Sequence, residues 1–167
     1  VNDLNYWGKW FLEQTGVDGF RLDAVKHIRS SFYKNWLAML KREFNRDIYT
    51  VGEYFSSDIN ALLYYLDYNN EVSSLFDVPL HYHFKEASES QGNYDMSKIF
   101  EETLIDRRAS KAVTFVDNHD TEPGQALESW IQPWFKPLAY AMIMFRKKGI
   151  PCIFYGDYYG ISEKNIP

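Results

Sequence analysis

The sequence predicts an α/β fold, an incomplete TIM (β/α)8 barrel that contains about strands four to eight with their crossover helices. Helix-like and strand-like segments alternate along the 167 residues, as is typical of a parallel sheet covered by helices. Only five strand-like segments fit in this length, whereas a complete eight-stranded barrel takes about 250 residues. We therefore expect residues 1–167 to form one partial barrel domain whose opening strands are absent.

Hydrophobic periodicity places each element in order. Trp7, Trp10 and Phe11 share one face of the first helix, and Gly16 is expected to end it. Short apolar runs bounded by polar residues or glycine indicate buried strands. The predicted helices are residues 5–15, 30–44, 58–68, 96–104 and 134–146, and the predicted strands are residues 19–22, 48–52, 74–79, 112–116 and 152–155.

An open, doubly wound five-stranded sheet is the alternative fold. Such a sheet usually carries a glycine-rich phosphate-binding loop after its first strand, and residues 23–29 show no such loop. Three strand-like runs are instead followed by an acidic residue, namely Asp23, Glu53 and Asp120. In a barrel, side chains at the C-terminal ends of several strands converge on one face, where catalysis takes place.

Composition makes several classes of partner unexpected. The net charge of -5 and the pI near 5.4 give no basic field for nucleic acid, and the densest basic run is only residues 146–148. The longest apolar stretches, such as residues 138–145, fall short of the roughly 20 residues that a membrane-spanning helix needs. Cys152 is the single cysteine, so we expect a buried thiol and no internal disulfide.

Three strings of residues resemble a known family in their order and spacing. They are GFRLDAVKH at residues 19–27, VGEY at residues 51–54 and FVDNHD at residues 115–120. These strings resemble signature regions of the α-amylase family of glycoside hydrolases. Further strings, at residues 75–80, 134–140 and 154–157, are similar to liquefying bacterial α-amylases. The resemblance implies retaining endo-hydrolysis of α-1,4-glucosidic bonds in starch or glycogen.

The resemblance also implies a role for each strand-end acid. Asp23 matches the nucleophile, Glu53 the general acid, and Asp120 the third carboxylate, which binds sugar hydroxyls and stabilises the oxocarbenium-like transition state. A retaining glycosidase needs such a nucleophile and acid about 5 to 5.5 Å apart. Arg21 lies two residues before Asp23, so on a strand its side chain points to the same side and can pair with that carboxylate.

Other positions match residues that the family uses around the substrate. His119 matches a histidine that donates to a sugar hydroxyl, and Lys26 and His27 match contacts on the leaving-group side of the glucan. The backbone carbonyl of His27 also matches a calcium ligand. The resemblance thus implies a structural calcium ion, most of whose ligands we expect in a missing upstream segment.

Aromatic residues make up 18% of the chain, and flat rings can stack on sugars. Tyr54 and Phe55 follow Glu53 at a strand end and are the expected stacking residues, although many relatives carry tryptophan at the position of Phe55. Rings at helical spacing are expected to pack in the core instead. These core aromatics are Trp7, Trp10, Phe32, Trp36 and Phe135.

Two alternatives to an α-amylase stay open. One is a related α-glucan transglycosylase or other α-glucosidase with the same core; the other is a non-catalytic glucan-binding or accessory protein, against which the three carboxylates argue. The family's early strands supply substrate and calcium residues that this sequence lacks, so we expect a fragment of a longer enzyme or a damaged gene product. The expected partner is an α-glucan, and the full-length protein is expected to be a monomer. Strings at residues 52–54 and 156–160 resemble the cytoplasmic kind of liquefying amylase, and this resemblance implies a cytoplasmic protein, with secretion as the alternative.

Overall fold

A parallel sheet forms the centre of the computed structural model, which describes residues 1–160. Its strands are hydrogen-bonded in chain order, and each neighbouring pair is parallel. The strands are β1 (Gly19–Leu22), β2 (Tyr49–Gly52), β3 (Ser74–Phe76), β4 (Ala112–Phe115) and β5 (Ile150–Cys152). The predicted number of strands and their parallel pairing are confirmed.

The order of the strands decides between the two folds that the sequence allowed. In a doubly wound sheet the strand order reverses at a switch point, whereas a barrel adds each strand beside the previous one. Within residues 1–160 the order runs β1-β2-β3-β4-β5 without reversal. This part of the chain is therefore a five-stranded arc of a TIM barrel with its crossover helices, as predicted.

Helices connect successive strands, and the first two helices each end at a residue in the left-handed conformation. Gly16 adopts φ 65° after the first helix, and Asn45 adopts φ 48° after the second. None of the helices described in residues 1–160 has the length and apolar character that a membrane span requires. The helices are α1 (Asn2–Thr15), α2 (Ser30–Phe44), α3 (Ile59–Tyr68), α4 (Val78–Glu89), α5 (Leu104–Arg107), α6 (Lys136–Met144) and α7 (Tyr155–Tyr159), with 3-10 turns at Val25–His27, Met96–Lys98 and Ala109–Lys111.

Three predicted elements are wrong in extent or type. The predicted strand 74–79 ends at Phe76, and the chain continues into α4, a helix that the sequence analysis missed. Pro79 lies in the first turn of α4, where its missing N–H breaks no hydrogen bond. The predicted helix 96–104 is instead a 3-10 turn and the start of α5, and the predicted strand 152–155 is instead the end of β5 and the start of α7.

The largest buried cluster lies where α3, α4 and α6 pack against β3 and β4. Its fully buried side chains include Leu62, Leu66, Leu75, Phe84 and Ile143. Burying such side chains stabilises the fold by about 1.5–3 kcal/mol each before conformational entropy is counted. The helices that carry them are thereby fixed against the strands whose ends form the candidate site.

A second cluster joins α1 and α2 around Trp36, which is buried as predicted. The prediction that Trp7 and Trp10 lie in the core is wrong, because these side chains are 43% and 46% exposed. The reason is local: α1 packs on α2 through Gly8, where a Cβ would lie 2.6 Å from the ring of Trp36, and so the larger α1 rings lie beside this close contact. Cys152, predicted to be buried, is only partly buried.

Candidate active site

Two strand-end acids follow neighbouring strands in register. Leu22 of β1 pairs with Gly52 of β2, so Asp23 and Glu53 are the next residues along two adjacent parallel strands. The carboxyl ends of parallel strands lie at one edge of the sheet, and this edge is the catalytic face of a barrel. The fold thereby brings together two acids that are separated by 29 residues of sequence.

Arg21 connects these two carboxylates. Its Nη1 donates a short hydrogen bond to Oδ1 of Asp23, which is the ion pair expected from their two-residue spacing at the end of β1. Its Nη2 lies 3.6 Å from Oε2 of Glu53. A planar guanidinium with donors on two edges can hold two acceptors in a fixed relative orientation.

The environments of the two acids differ strongly. The Asp23 side chain is 72% exposed, whereas that of Glu53 is 7% exposed. The backbone N–H of Ala24 donates to Oε2 of Glu53 at 2.9 Å, which fixes the buried carboxyl group. Two carboxyl groups in such different surroundings can take different chemical roles.

A left-handed alanine makes this hydrogen bond possible. Ala24 adopts φ 46° and ψ 42°, a conformation that is uncommon for residues other than glycine, asparagine and aspartate. The turn is held on both sides, because Glu53 N donates to Leu22 O at 2.8 Å and Val25 N donates to Glu53 O at 3.0 Å. Strained backbone of this kind concentrates at functional sites, where the surrounding structure enforces it.

The third acid lies on the turn after β4, which we call the β4 turn and define as residues 117–121. Within it, Asn118 Oδ1 accepts hydrogen bonds from the N–H groups of Asp120 and Thr121, at 2.9 and 3.0 Å. Nε2 of His119 lies 3.3 Å from Oδ2 of Asp120. Asp120 is thus placed by topology on the same sheet edge as the first two acids, two strands beyond β2.

A buried charge cluster underlies the β4 turn. Asp117 is almost wholly buried; its Oδ1 accepts from the Thr121 hydroxyl at 2.8 Å, and its Oδ2 lies 3.1 Å from Lys136 Nζ. Burial raises the pKa of Asp117 to about 6, against the opposing effect of the Lys136 ammonium group. Lys136 also contacts Asp157, which follows β5. The sequence analysis missed the ion pair between Asp117 and Lys136, because a lone lysine at the start of a helix is usually solvated.

The remaining predicted substrate residues lie on the two segments after β1 and β2. Lys26 and His27 are exposed in the 3-10 turn, and Lys26 Nζ donates to the carbonyl of Phe55 at 2.9 Å. Tyr54 is partly buried, and its ring packs 5.3 Å from that of Tyr65. Phe55 is only 8% exposed and packs in the core, so in this structure its ring does not present the stacking face that was expected.

Acidic, histidine and cysteine side chains are not clustered as metal ligands in the described part of the chain. No group of three or more histidine, cysteine, aspartate or glutamate side chains in residues 1–160 is arranged to hold a metal ion. The carbonyl of His27 is one backbone oxygen, whereas calcium takes six to eight oxygen ligands.

Two further buried titratable residues have structural roles. Asp77 follows β3, but its carboxylate accepts N–H groups of Leu80, Leu104 and Ile105 at 3.2, 2.9 and 2.7 Å. Burial raises the pKa of Asp77, although these N–H groups oppose the shift. Burial lowers the pKa of His81 to about 4, so it is neutral near pH 7, and its Nδ1 lies 2.6 Å from the carbonyl of Val116. These contacts of Asp77 and His81 are made with backbone groups and not with the three strand-end acids.

Comparisons with known proteins identify a family and several similar proteins. A family model described as "Alpha amylase, catalytic domain" matches residues 1–167. An α-amylase of Geobacillus stearothermophilus is 56% identical over 100% of this chain and 30% of its own length, and the cytoplasmic α-amylase of Escherichia coli K12 is 46% identical over 99% and 34%. The structure of a Geobacillus thermoleovorans α-amylase complexed with acarbose matches with a TM-score of 0.75 at 25% identity, covering 96% of this chain and 36% of that one. The chain thus spans about a third of the length of these relatives.

Proposed function

The chain belongs to the α-amylase catalytic-domain family of glycoside hydrolases, and we propose that it forms the catalytic part of an enzyme that hydrolyses internal α-1,4-glucosidic bonds in starch or glycogen. The observation that carries the proposal is the Arg21 bridge between an exposed carboxylate, Asp23, and a buried one, Glu53. The names of the relatives that are 46% and 56% identical support the substrate class. Residues 1–167 would be part of one barrel domain.

In the proposed mechanism the anomeric carbon is attacked by Asp23. Glu53 donates a proton to the leaving oxygen, and in the second step it takes a proton from the water that releases the sugar. Retention of the anomeric configuration follows from these two displacements. Asp120 and His119 would bind sugar hydroxyls and stabilise the positive charge that develops on the ring. Arg21 holds the Asp23 carboxylate in orientation through their hydrogen bond.

Further contacts are proposed from the positions of side chains around this edge. The leaving-group side of the glucan would be lined by the exposed Lys26 and His27 and by the partly buried Tyr54. A structural calcium ion, if bound, would take the His27 carbonyl as one ligand, and no step of the reaction depends on it. We propose that the enzyme is a monomer. We also propose that it is cytoplasmic, which is supported by the relative named as cytoplasmic. The test is to fractionate cells that express the gene. Activity found outside the cells would instead indicate secretion.

The test is the substitution Glu53→Gln in the complete gene product, with soluble starch as substrate. The variant should lose turnover by roughly 10²- to 10⁴-fold, because the leaving oxygen receives no proton. Its affinity for maltoheptaose should stay within a few-fold of the unaltered enzyme, as measured by calorimetry. Glu89→Gln, which removes an exposed partner of Lys85, is the matched control and should keep full activity.

The products of the unaltered enzyme separate the alternatives. Release of α-anomeric oligosaccharides, followed by NMR during the first minutes, supports the retaining α-amylase. Dominant formation of new α-glucosidic bonds would identify a transglycosylase, and glucan binding without any hydrolysis would identify a non-catalytic protein. Full hydrolysis by the Glu53→Gln variant would refute the assignment of the general acid.

A further inference from the structure

Lys136 is the centre of the buried charge cluster beneath the catalytic edge. Its Nζ lies 3.1 Å from Asp117 Oδ2, 2.5 Å from Asp157 Oδ1 and 2.9 Å from the centre of the Trp130 ring. The hydroxyl of Tyr140 donates to the other oxygen of Asp157, also at 2.5 Å. One ammonium group therefore joins the start of α6 to the segments that follow β4 and β5.

A chain of hydrogen bonds leads from this ammonium group to the backbone of Asp120. Asp117 accepts the Thr121 hydroxyl at 2.8 Å, and the same hydroxyl oxygen accepts the N–H of Asn118 at 3.0 Å. The Asn118 side chain then accepts the N–H of Asp120 at 2.9 Å. Each link is a local contact inside the β4 turn, and the link from Asp117 to Lys136 anchors that turn to the rest of the fold.

Stability alone is a weak explanation for such a cluster. Buried ion pairs contribute little net stability compared with packed apolar side chains, because both charges must leave water. They do fix geometry, since breaking one partner leaves an uncompensated charge and the structure rearranges. The cluster here fixes the turn whose exposed tip carries His119 and Asp120.

We propose that Lys136 is a positioning residue that holds Asp120 in place for the reaction. It acts on the β4 turn through Asp117 and touches neither the substrate nor Asp120. This inference rests on the proposed function, because the reaction that depends on Asp120 is itself proposed. Small displacements of a group at the reacting centre reduce rates strongly, by up to about 100-fold for 1 Å.

The experiment is a double-mutant cycle in the complete gene product, with kcat and KM measured on an activated aryl maltotrioside at high enzyme concentration. The substitution Lys136→Met removes the charge and keeps the length of the side chain. If Lys136 acts through Asp120, we expect Lys136→Met to lower kcat/KM by about 10- to 100-fold in the parent enzyme but by less than about 3-fold in an Asp120→Asn background. The matched control, Lys85→Met, removes a lysine of the α4 surface. It should leave kcat/KM unchanged in both backgrounds.

A second variant keeps the test decisive if Lys136→Met fails to fold. Thr121→Val removes only the hydroxyl link between Asp117 and Asn118, keeps every charge and should show the same dependence on Asp120. Equal losses in both backgrounds, or no loss in a folded variant, would overturn the positioning role while leaving the proposed function intact. Inactivity of the parent enzyme, by contrast, would contradict the proposed function and the inference together.

Discussion

Arg21 shows how one side chain sets the geometry of the candidate site. Its pairing with Asp23 follows from their two-residue spacing at the end of β1 and is predicted by the sequence. Its contact with Glu53 was not predictable, because it depends on the register in which β2 pairs with β1. The left-handed conformation of Ala24 was equally hidden, since alanine gives no signal for that region of backbone space.

The substitution Arg21→Lys tests this bridge at the residue scale. Lysine keeps the charge but presents a single ammonium point, so it cannot hold two carboxylates in a fixed orientation. We expect kcat on starch to fall by at least about 10-fold, with a smaller change in KM, because the nucleophile is misoriented. Arg46→Lys is the control: Arg46 pairs with Asp18 before β1, away from the catalytic edge, and should leave kcat unchanged. Equal kcat values for both variants would contradict the bridging role.

At the scale of elements, the sequence analysis missed helix α4, although the sequence carries a signal for the start of that helix. The run from Ser74 to Pro79 is apolar enough to resemble a single strand, and this hid the change to a helix after Phe76. Asp77 is a favoured N-cap residue, and Pro79 is typical of a first helical turn. Strands β1, β2 and β4 and helices α2 and α3 were predictable because their burial follows local periodicity. The short pieces between residues 96 and 111 depend on tertiary contacts and were not.

Asp77→Ala is therefore expected to be strongly destabilising. Asp77 caps α4 and also accepts two N–H groups at the start of α5, so its loss leaves three buried donors unpaired. The free energy of unfolding should fall by more than about 3 kcal/mol. Asp58→Ala, which removes an exposed cap with one N–H partner on α3, should lower it by only about 1 kcal/mol. Urea denaturation of the complete gene product measures both, and similar losses would contradict the double cap.

At the scale of the whole molecule, the strand order that aligns the acids also leaves two open edges. In residues 1–160, β1 pairs only with β2, and β5 pairs only with β4. Unpaired strand edges with apolar side chains promote association between chains. Such side chains surround β5: Phe145, Ile150 and Ile153 are 86%, 46% and 53% exposed. A barrel would close these edges with further strands, which is the physical reason to expect the chain and the complete gene product to behave differently.

This reasoning predicts that the 167-residue chain, purified alone, self-associates at micromolar concentration in light scattering, whereas the complete gene product stays monomeric. A charge on the open edge should reduce the effect, because a lysine there cannot be buried against a second strand. Ile150→Lys should therefore lower the associated fraction of the isolated chain. Met96→Lys places the same charge at a position of similar exposure, 44%, outside the sheet, and should not. If both substitutions act equally, general surface charge rather than the β5 edge drives association.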